Sequence, residues 1–154
     1  MPPEGPAGGE TAHFRALESL YRSAAINGLF ESDIEIAEAG VARIRFEVGP
    51  GSYHAAGAAH GTLYFKMMDD AAFYACNSMV SDRFLLTTAF NLVFTRPLRS
   101  GSVIAEGRWI SGKRRVFVGE ARLLLPDGDE AARGTGTFMR SHIALSSLAG
   151  YKSG

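Results

Sequence analysis

Two adjacent carboxylates in an apolar segment are the residues of this sequence best suited to chemistry. Asp69 and Asp70 stand within residues 62–80, TLYFKMMDDAAFYACNSMV, which are long enough for a helix and apolar on most sides. Burying an unpaired carboxylate is costly, so proteins normally avoid it. Neighbouring helix positions differ by about 100°, so one aspartate can face a cleft while the other points elsewhere. The alternative is a solvated stripe in which Lys66, one turn earlier, pairs with them.

A loop of small residues leads into this segment and ends at a second candidate group. Residues 49–61 are GPGSYHAAGAAHG, and His60 and Gly61 fall at the predicted start of the helix. Backbone N–H groups lack partners there and the helix dipole is positive, so this end can polarise a carbonyl or stabilise an oxyanion. Gly61 has no side chain to block a ligand. A histidine before a helix is also common as a simple cap or surface residue.

The elements that position these residues follow from hydrophobic periodicity. Residues 1–10, with three prolines and three glycines, are expected to form a disordered tail, leaving 11–154 as one domain. Thr11 is expected to cap a first helix that closes at Asn27-Gly28. Six strands are predicted, at 33–37, 41–48, 85–94, 103–110, 116–125 and 132–143. The long helix at 62–80 lies between the second strand and the third. Consecutive strands with short turns predict an antiparallel sheet covered on one face by the long helix, an α+β class.

Composition excludes several kinds of function. The 16 Lys and Arg balance the 16 Asp and Glu, which argues against a nucleic-acid binder. The single cysteine, Cys76, excludes an intrachain disulfide and a cysteine-based zinc site. The sequence has no secretory signal pattern and no apolar run of roughly 18 residues. We therefore expect a cytoplasmic protein with no membrane partner.

The helix segment and two later strands resemble a known family. Residues 60–69, HGTLYFKMMD, with AAFYACNS from Ala71, are similar to the signature of hotdog-fold thioesterases related to phenylacetyl-CoA thioesterase. In that family the helix begins His-Gly-Gly, and the catalytic Asp follows nine residues after the His, as Asp69 follows His60. Residues 87–97, TTAFNLVFTRP, then Gly101 and residues 134–140, GTGTFMR, are also similar. The resemblance spans roughly residues 40–142.

The resemblance implies a hotdog fold, a long antiparallel sheet wrapped around a central helix, in a homo-oligomer that is a dimer or a dimer of dimers. It implies an active site between two protomers, where the Gly61 N–H polarises the thioester carbonyl and the partner's Asp69 acts as nucleophile or general base. His60 would orient the loop or bond near the carbonyl, and Thr87 would help to place the attacking water. The implied substrate is an acyl-CoA, with coenzyme A entering as part of the substrate, no resident cofactor and no metal.

This chain departs from the family pattern at two positions. Relatives often have Asn six residues before the motif His, where this chain has His54. A neutral imidazole offers one donor and one acceptor on opposite ring edges, unlike an amide, so His54 is a candidate base or ligand contact instead. The second Gly of the His-Gly-Gly motif is Thr62 here, which narrows the space at the helix start.

Basic and aromatic residues supply candidates for substrate binding. Guanidinium groups bind phosphate in a bidentate manner, so Arg96 and the triplet Lys113, Arg114 and Arg115 are candidates for the phosphates of coenzyme A. Each is equally explained as part of a solvated turn. Candidates to line an apolar acyl pocket, although aromatics at helical spacing are usually core, are Phe65 and Met68, with Tyr64, Phe73 and Phe90 beside them.

Two other functions and a metal site are alternatives to a thioesterase, and the metal site is disfavoured by the geometry of a loop that leads into a helix. A hotdog hydratase or dehydratase acting on acyl-CoA or acyl-carrier protein pairs a catalytic His with an acidic residue, although the His-Gly and Asp spacing fits the thioesterase branch better. A module that holds acyl-CoA without cleaving it is compatible with the His54 departure. A metal site would need His54, His60, Asp69 and Asp70 to converge from a loop and a helix.

Overall fold

The secondary structure of the computed structural model, which describes residues 8–154, follows the predicted order. Short 3₁₀ segments lie at Ala25–Leu29, Pro50–Ser52 and Leu145–Ser147. The longer elements are α1 (Gly8–Ser23), β1 (Ser32–Glu38), β2 (Val41–Val48), α2 (Gly61–Asn77), β3 (Arg83–Phe94), β4 (Gly101–Ser111), β5 (Val116–Leu124) and β6 (Glu130–Ala144). The strand pairs are antiparallel. The predicted α+β class is confirmed.

The first helix has different ends from those expected. Of the predicted tail, residues 1–7 lie outside the described residues, whereas residues 8–10 are helical, so Thr11 lies inside α1 and does not cap it. The helix stops at Ser23, four residues before the predicted Asn27 closure. The reason is local capping, because the Ser23 hydroxyl donates to Leu20 O and the Asn27 amide donates to Tyr21 O. The chain then continues as the 3₁₀ segment.

The sheet does not follow chain order. Its strands are arranged β1-β2-β4-β5-β6-β3, so the strand after α2 pairs with β6, the last strand, and not with β4, which follows it. Helix α2 crosses the sheet between β2 and β3, and residues 95–100 return the chain to β4 beside β2. In the described part of the chain β3 is therefore an edge strand, although it is one of the longest.

Small residues bring α2 onto the centre of the sheet. A Cβ on Gly107 of β4 would lie 2.0 Å from the Ala71 carbonyl oxygen, so a glycine is needed for the helix backbone to approach this closely. Around this contact the helix is fully covered, with Met67, Ala71 and Ala75 at 0% exposure. No helix of residues 8–154 has the length and apolar character needed to cross a membrane.

An irregularity in β3 changes which residues face the helix. The pairing with β6 shifts register between Thr87 and Ala89, leaving Thr88 as the extra residue of a β-bulge. Before the bulge, odd positions such as Leu85 face α2, and after it even positions such as Phe90 do so. A regular strand would hold one alternation throughout. The bulge therefore allows Thr87 and Phe90 to face the same helix.

Candidate active site

Asp69 lies on the face of α2 that is turned toward β3. Its Oδ1 accepts a hydrogen bond of 2.9 Å from the Thr87 hydroxyl, the residue just before the bulge. Desolvation by burial raises the pKa of Asp69 to about 6, and it outweighs the Thr87 bond, which lowers it. Within residues 8–154 no cationic side chain forms an ion pair with Asp69. A carboxylate in this setting is a base or nucleophile that ionises near neutral pH.

Asp70 has a different environment. Its Oδ2 lies 2.6 Å from Lys66 Nζ, and the Lys66 side chain is 12% exposed. Lys66 also donates to Asn27 Oδ1 and lies 5.0 Å above the Tyr21 ring. The charge-paired stripe considered from sequence therefore exists for Asp70, but it is shielded from solvent. Asp69 is left out of the pair.

A small cavity opens beside the Asp69 carboxylate. Its volume is about 260 Å³. Apart from Asp69 and Thr87, its wall is formed by residues of α2, of β3 and of the segment before β1. Most of them are apolar or aromatic, namely Ala24, Ile26, Phe73, Tyr74, Phe84, Leu85 and Leu86, and the polar ones are Asn27 and Asp70. Such a cavity accepts an apolar group next to a carboxylate.

The start of α2 offers a backbone donor. His60 is the N-cap, and its Nδ1 accepts from the Thr62 N–H at 3.0 Å. The Gly61 N–H makes no hydrogen bond to the rest of the described chain, as expected in a first helical turn. A Cβ on Gly61 would lie 3.2 Å from the Phe94 ring, so a side chain would crowd the space in front of this N–H. The geometry suits a carbonyl or an oxyanion at this point.

Two cavities of about 420 Å³ each meet at Gly61. The first is bordered by His54 and Arg96 and by Tyr64, whose hydroxyl donates to Arg96 O. The second is lined by aromatic and apolar side chains from α2 and β3, namely Phe65, Phe90, Leu92 and Phe94, with Thr62 and Asn91. The Ala56 N–H donates to His54 Nδ1, so the remaining ring nitrogen of a neutral His54 carries the hydrogen and is a donor.

Gly61 and Asp69 do not meet within one chain. They are eight residues apart on the same helix, about 12 Å along its axis at 1.5 Å per residue. They also line different cavities. A reacting carbonyl must lie about 3 Å from both its donor and its attacking group. These two groups therefore cannot serve one carbonyl in a single copy of the chain.

The other predicted substrate-binding residues lie in the core, at the Gly61 cavity or at a turn. Met68 is 0% exposed, belongs to the core and lines none of the cavities at Gly61 and Asp69. Arg96 borders the Gly61 cavity, but its guanidinium lies 2.9 Å from Asp129 and 3.8 Å from Asp127. Lys113 and Arg114 are exposed at the turn between β4 and β5.

Arg115 is exposed in the same turn but lines a separate cavity, formed with Arg83, Arg140 and neighbouring residues. Of the four residues weighed as metal ligands, His54 and His60 lie before the start of α2, whereas Asp69 and Asp70 lie in its middle. Among the described residues no three His, Cys, Asp or Glu side chains are grouped to hold a metal ion.

Sequence reasoning missed several residues of the Asp69 cavity. Ile26 and Asn27 were assigned to a helix end, and Phe84 was placed outside the predicted strand. The sequence pattern at these residues gives little indication of a site, because a short apolar stretch between two elements has no periodicity. Phe94 was included in a strand, but its contact with the Tyr64 ring, at 4.8 Å between centroids, depends on the bulge in β3.

Comparison with known proteins gives the same architecture. The chain superposes on the E. coli PaaI protein from the phenylacetic acid degradation operon with a TM-score of 0.80 and 20% identity, covering 90% of this chain and 99% of that one. A thioesterase of Haemophilus influenzae gives 0.74 and 18%, covering 84% and 89%. A conserved protein of Pseudomonas aeruginosa gives 0.72 and 28%, covering 77% and 94%.

Sequence comparison identifies the family. No curated protein sequence matches the chain. The family model described as the thioesterase superfamily matches residues 56–132, half of the 154 residues, and that stretch contains Gly61, Asp69 and Thr87. The antiparallel sheet around α2 agrees with the hotdog proteins on which the chain superposes. The chain therefore belongs to the thioesterase superfamily and has the hotdog fold, and thioester hydrolysis is the general activity that this membership supports.

Proposed function

We propose that this protein hydrolyses acyl-CoA thioesters at a site shared by two protomers, without a resident cofactor. The observation that carries the proposal is the Asp69 carboxylate, which is partly buried, bonded to Thr87 and not paired with a cation in the described chain. Its pKa of about 6 leaves it mostly ionised at neutral pH yet able to accept a proton. Superfamily membership supports thioester hydrolysis in general, and the acyl-CoA class is our inference.

The exposed edge of β3 supports a site between two copies. Leu86, Val93 and Phe94 are 47%, 64% and 52% exposed on an edge strand, which proteins normally cover. Antiparallel pairing of β3 with a second copy about its middle would set Thr87 opposite the partner's Phe90. Because Phe90 lines the cavity of Gly61, this pairing brings Asp69 of one protomer toward the Gly61 cavity of the other. In a homodimer, or a dimer of dimers, the Gly61 and the Asp69 that act on one carbonyl come from different protomers. Their separation of about 12 Å within one chain is then no obstacle.

The reaction then follows from the start of α2 in one protomer and the middle of α2 in the other. The thioester oxygen accepts from the Gly61 N–H at the positive helix end, which stabilises the charge that develops there. Asp69 either attacks the carbonyl carbon or removes a proton from a water that attacks it. The carbon–sulfur bond breaks, the thiolate leaves and takes up a proton, and water supplies the hydroxyl of the acid. The Thr87 oxygen keeps lone pairs that can hold this water.

Four other side chains have secondary roles in the proposal. His60 fixes the helix start as its cap. The His54 ring lies at the Gly61 cavity with a free donor for the carbonyl or a water. Arg96 borders the same cavity and is our first candidate for a phosphate of coenzyme A. Phe65 contributes apolar surface beside Gly61. The triplet 113–115 stays a weaker candidate for the phosphates, since its residues lie at another turn.

A thiol-release assay against a panel of acyl-CoAs tests the proposal. The wild-type protein should release thiol from at least one acyl class, and Asp69→Asn should abolish release while retaining acyl-CoA binding. Asp70→Asn is the matched control, because it removes the neighbouring charge without touching the Thr87 bond. Binding without release in the wild type would contradict the proposal and support a non-catalytic acyl-CoA module.

The same protein can separate the two roles of Asp69. In H₂¹⁸O, label that enters the Asp69 side chain during turnover identifies a covalent acyl intermediate formed by the carboxylate. Label confined to the product acid is expected if Asp69 acts as general base on water, but also if water attacks the acyl carbon of a covalent intermediate. Mass spectrometry of the peptide that contains Asp69 after rapid acid quench therefore looks for both the label and an acyl group trapped on the carboxylate, and the absence of both supports the general base.

A further inference from the structure

We infer that Ile26 determines which acyl groups fit beside Asp69, and that a Lys66–Asn27 anchor holds Ile26 in place. This inference rests on the proposed function, since it concerns the substrate of the same site. Ile26 belongs to the 3₁₀ segment Ala25–Leu29, between α1 and β1, to which no role was assigned from sequence. It would be a specificity-determining residue that touches the acyl group.

The shape of the Asp69 cavity assigns it to the acyl group. Its volume of about 260 Å³ is small beside the roughly 300–1,000 Å³ of typical ligand sites, and it is far too small for a whole acyl-CoA. Its lining is mostly apolar, whereas one of the two Gly61 cavities has a rim that includes His54 and Arg96. The coenzyme part is therefore expected on the Gly61 side and the acyl part beside Asp69.

Ile26 is a wall residue that can vary without loss of the fold. Several wall residues from α2 and β3 are also core residues, such as Leu85 at 0% and Tyr74 at 6% exposure. Ile26 is 51% exposed although it lines the cavity, so it forms the outer rim and contributes little to the core. A change of its size alters the depth of the cavity at low cost in stability.

The segment that carries Ile26 is tied directly to the catalytic helix. Lys66, one turn before Asp69, donates from Nζ to Asn27 Oδ1, while the Asn27 amide donates to Tyr21 O at 2.6 Å. The same ammonium group is held by Asp70 at 2.6 Å and lies 5.3 Å from the Phe30 ring centroid. A mostly buried ammonium fixed on several sides is a rigid anchor, so the rim has a defined position relative to Asp69.

The test compares wild type, Ile26→Ala, Ile26→Phe and the control Leu29→Ala over straight-chain acyl-CoAs from butyryl to dodecanoyl. Leu29 is 80% exposed on the same segment and does not line the cavity. Ile26→Ala should raise kcat/KM about tenfold for chains longer than the wild-type optimum, and Ile26→Phe should lower it about tenfold for them. Leu29→Ala should leave kcat and the length profile unchanged, because Leu29 does not line the cavity.

Asn27→Ala tests the anchor. It frees the rim without changing a charge, so discrimination between chain lengths should flatten while the pH dependence of kcat/KM stays in place. A merely structural role would lower stability without altering the length profile. An unaltered length profile in Asn27→Ala would overturn the anchor.

Other outcomes overturn the role of Ile26 itself. Superimposable profiles for wild type and both Ile26 variants would do so, as would dissociation of Ile26→Ala at sedimentation equilibrium with no change in profile. If the wild type releases no thiol, the proposed hydrolysis is wrong. The role of Ile26 is then tested by the Kd values of wild type and both Ile26 variants for thioether analogues of the same chain lengths. Equal length preference in all variants would refute it there.

Discussion

Asp69 and Glu106 are two sheltered carboxylates in opposite regions of the molecule, and their partners differ. Glu106 lies on β4 in the middle of the sheet and is 5% exposed. Its oxygens bind Arg43 and Arg122 at 3.0 Å and Arg108 at 3.3 Å. Burial alone raises its pKa, but the bonds from Arg122 and Arg43 outweigh this and hold the pKa of Glu106 below its ordinary value. Asp69, bonded to one hydroxyl, has a raised pKa.

The difference shows that burial does not distinguish a structural carboxylate from a reactive one. Three guanidinium groups fix the charge of Glu106 and use its lone pairs, so it has none free for a substrate. Asp69 keeps one oxygen free of strong partners and sits beside an edge strand, where a second protomer can complete a site. We therefore assign reactivity to Asp69 and stability to Glu106.

The largest expected effect is on activity. Asp69→Asn should lower kcat by about 10²–10⁴-fold, the range found when a general base is removed. Glu106→Gln should leave kcat within about twofold, because Glu106 lies on the far side of the sheet from α2. Steady-state thiol release measures both. A larger kcat loss in Glu106→Gln than in Asp69→Asn would break the comparison.

The same two variants should move stability in opposite directions. Glu106→Gln should lower the free energy of unfolding by about 1–3 kcal/mol, since three guanidinium groups lose their anion. Asp69→Asn should raise it by about 3 kcal/mol well above pH 6, since a native pKa of about 6 against an ordinary 3.8 means that ionised Asp69 destabilises the fold.

The pH dependence supplies the sign check for Asp69. The native state holds the Asp69 proton more tightly than the unfolded state, so wild type loses stability as pH rises from about 4 to about 6. The gain in Asp69→Asn should therefore vanish near pH 4. Urea unfolding at pH 4, 5, 6 and 7.5 measures this, and a gain independent of pH would contradict the raised pKa.

A smaller effect is expected from Thr87→Val, which removes the hydroxyl and nearly preserves volume. The Thr87 bond lowers the pKa of Asp69, so its loss should shift the acid limb of kcat/KM upward by about one pH unit. Thr87→Ser, which keeps the hydroxyl, should restore the wild-type limb. A pH–rate profile from pH 4.5 to 8.5 checks it, and an unshifted limb in Thr87→Val would show that Thr87 does not act on Asp69.

The smallest effect is expected from Asp70→Asn and has the opposite sign. The negative charge of Asp70 raises the pKa of Asp69, and Lys66 lowers it. Removing that charge should shift the acid limb downward by a fraction of a unit and change kcat far less than Asp69→Asn does. A loss in Asp70→Asn that exceeds that of Asp69→Asn would mean that the reactive carboxylate lies on the other face of α2.

Much of the fold was predictable because it is periodic. Alternation in residues 41–48 and the long apolar run around Asp69 depend on local sequence, and both elements are present with their burial as expected. The end of α1 at Ser23 was not predictable, because it depends on the Ser23 and Asn27 side chains, which donate to the carbonyls of Leu20 and Tyr21. The place of β3 at the far edge was also hidden, since strand order depends on long-range pairing.

For the site, the sequence by itself determined that a carboxylate pair stands in a buried helix that begins at His60-Gly61. The residue types and their spacing are local facts, so no tertiary contact was needed to find them. Only the tertiary structure decided that Lys66 pairs with Asp70 and that Thr87 reaches Asp69. The reason is that Lys66 lies one helical turn from both aspartates, so the sequence does not say which of them it pairs with. The choice depends on contacts with residues distant in the chain, namely the bond from Lys66 to Asn27 and the bulged strand that carries Thr87.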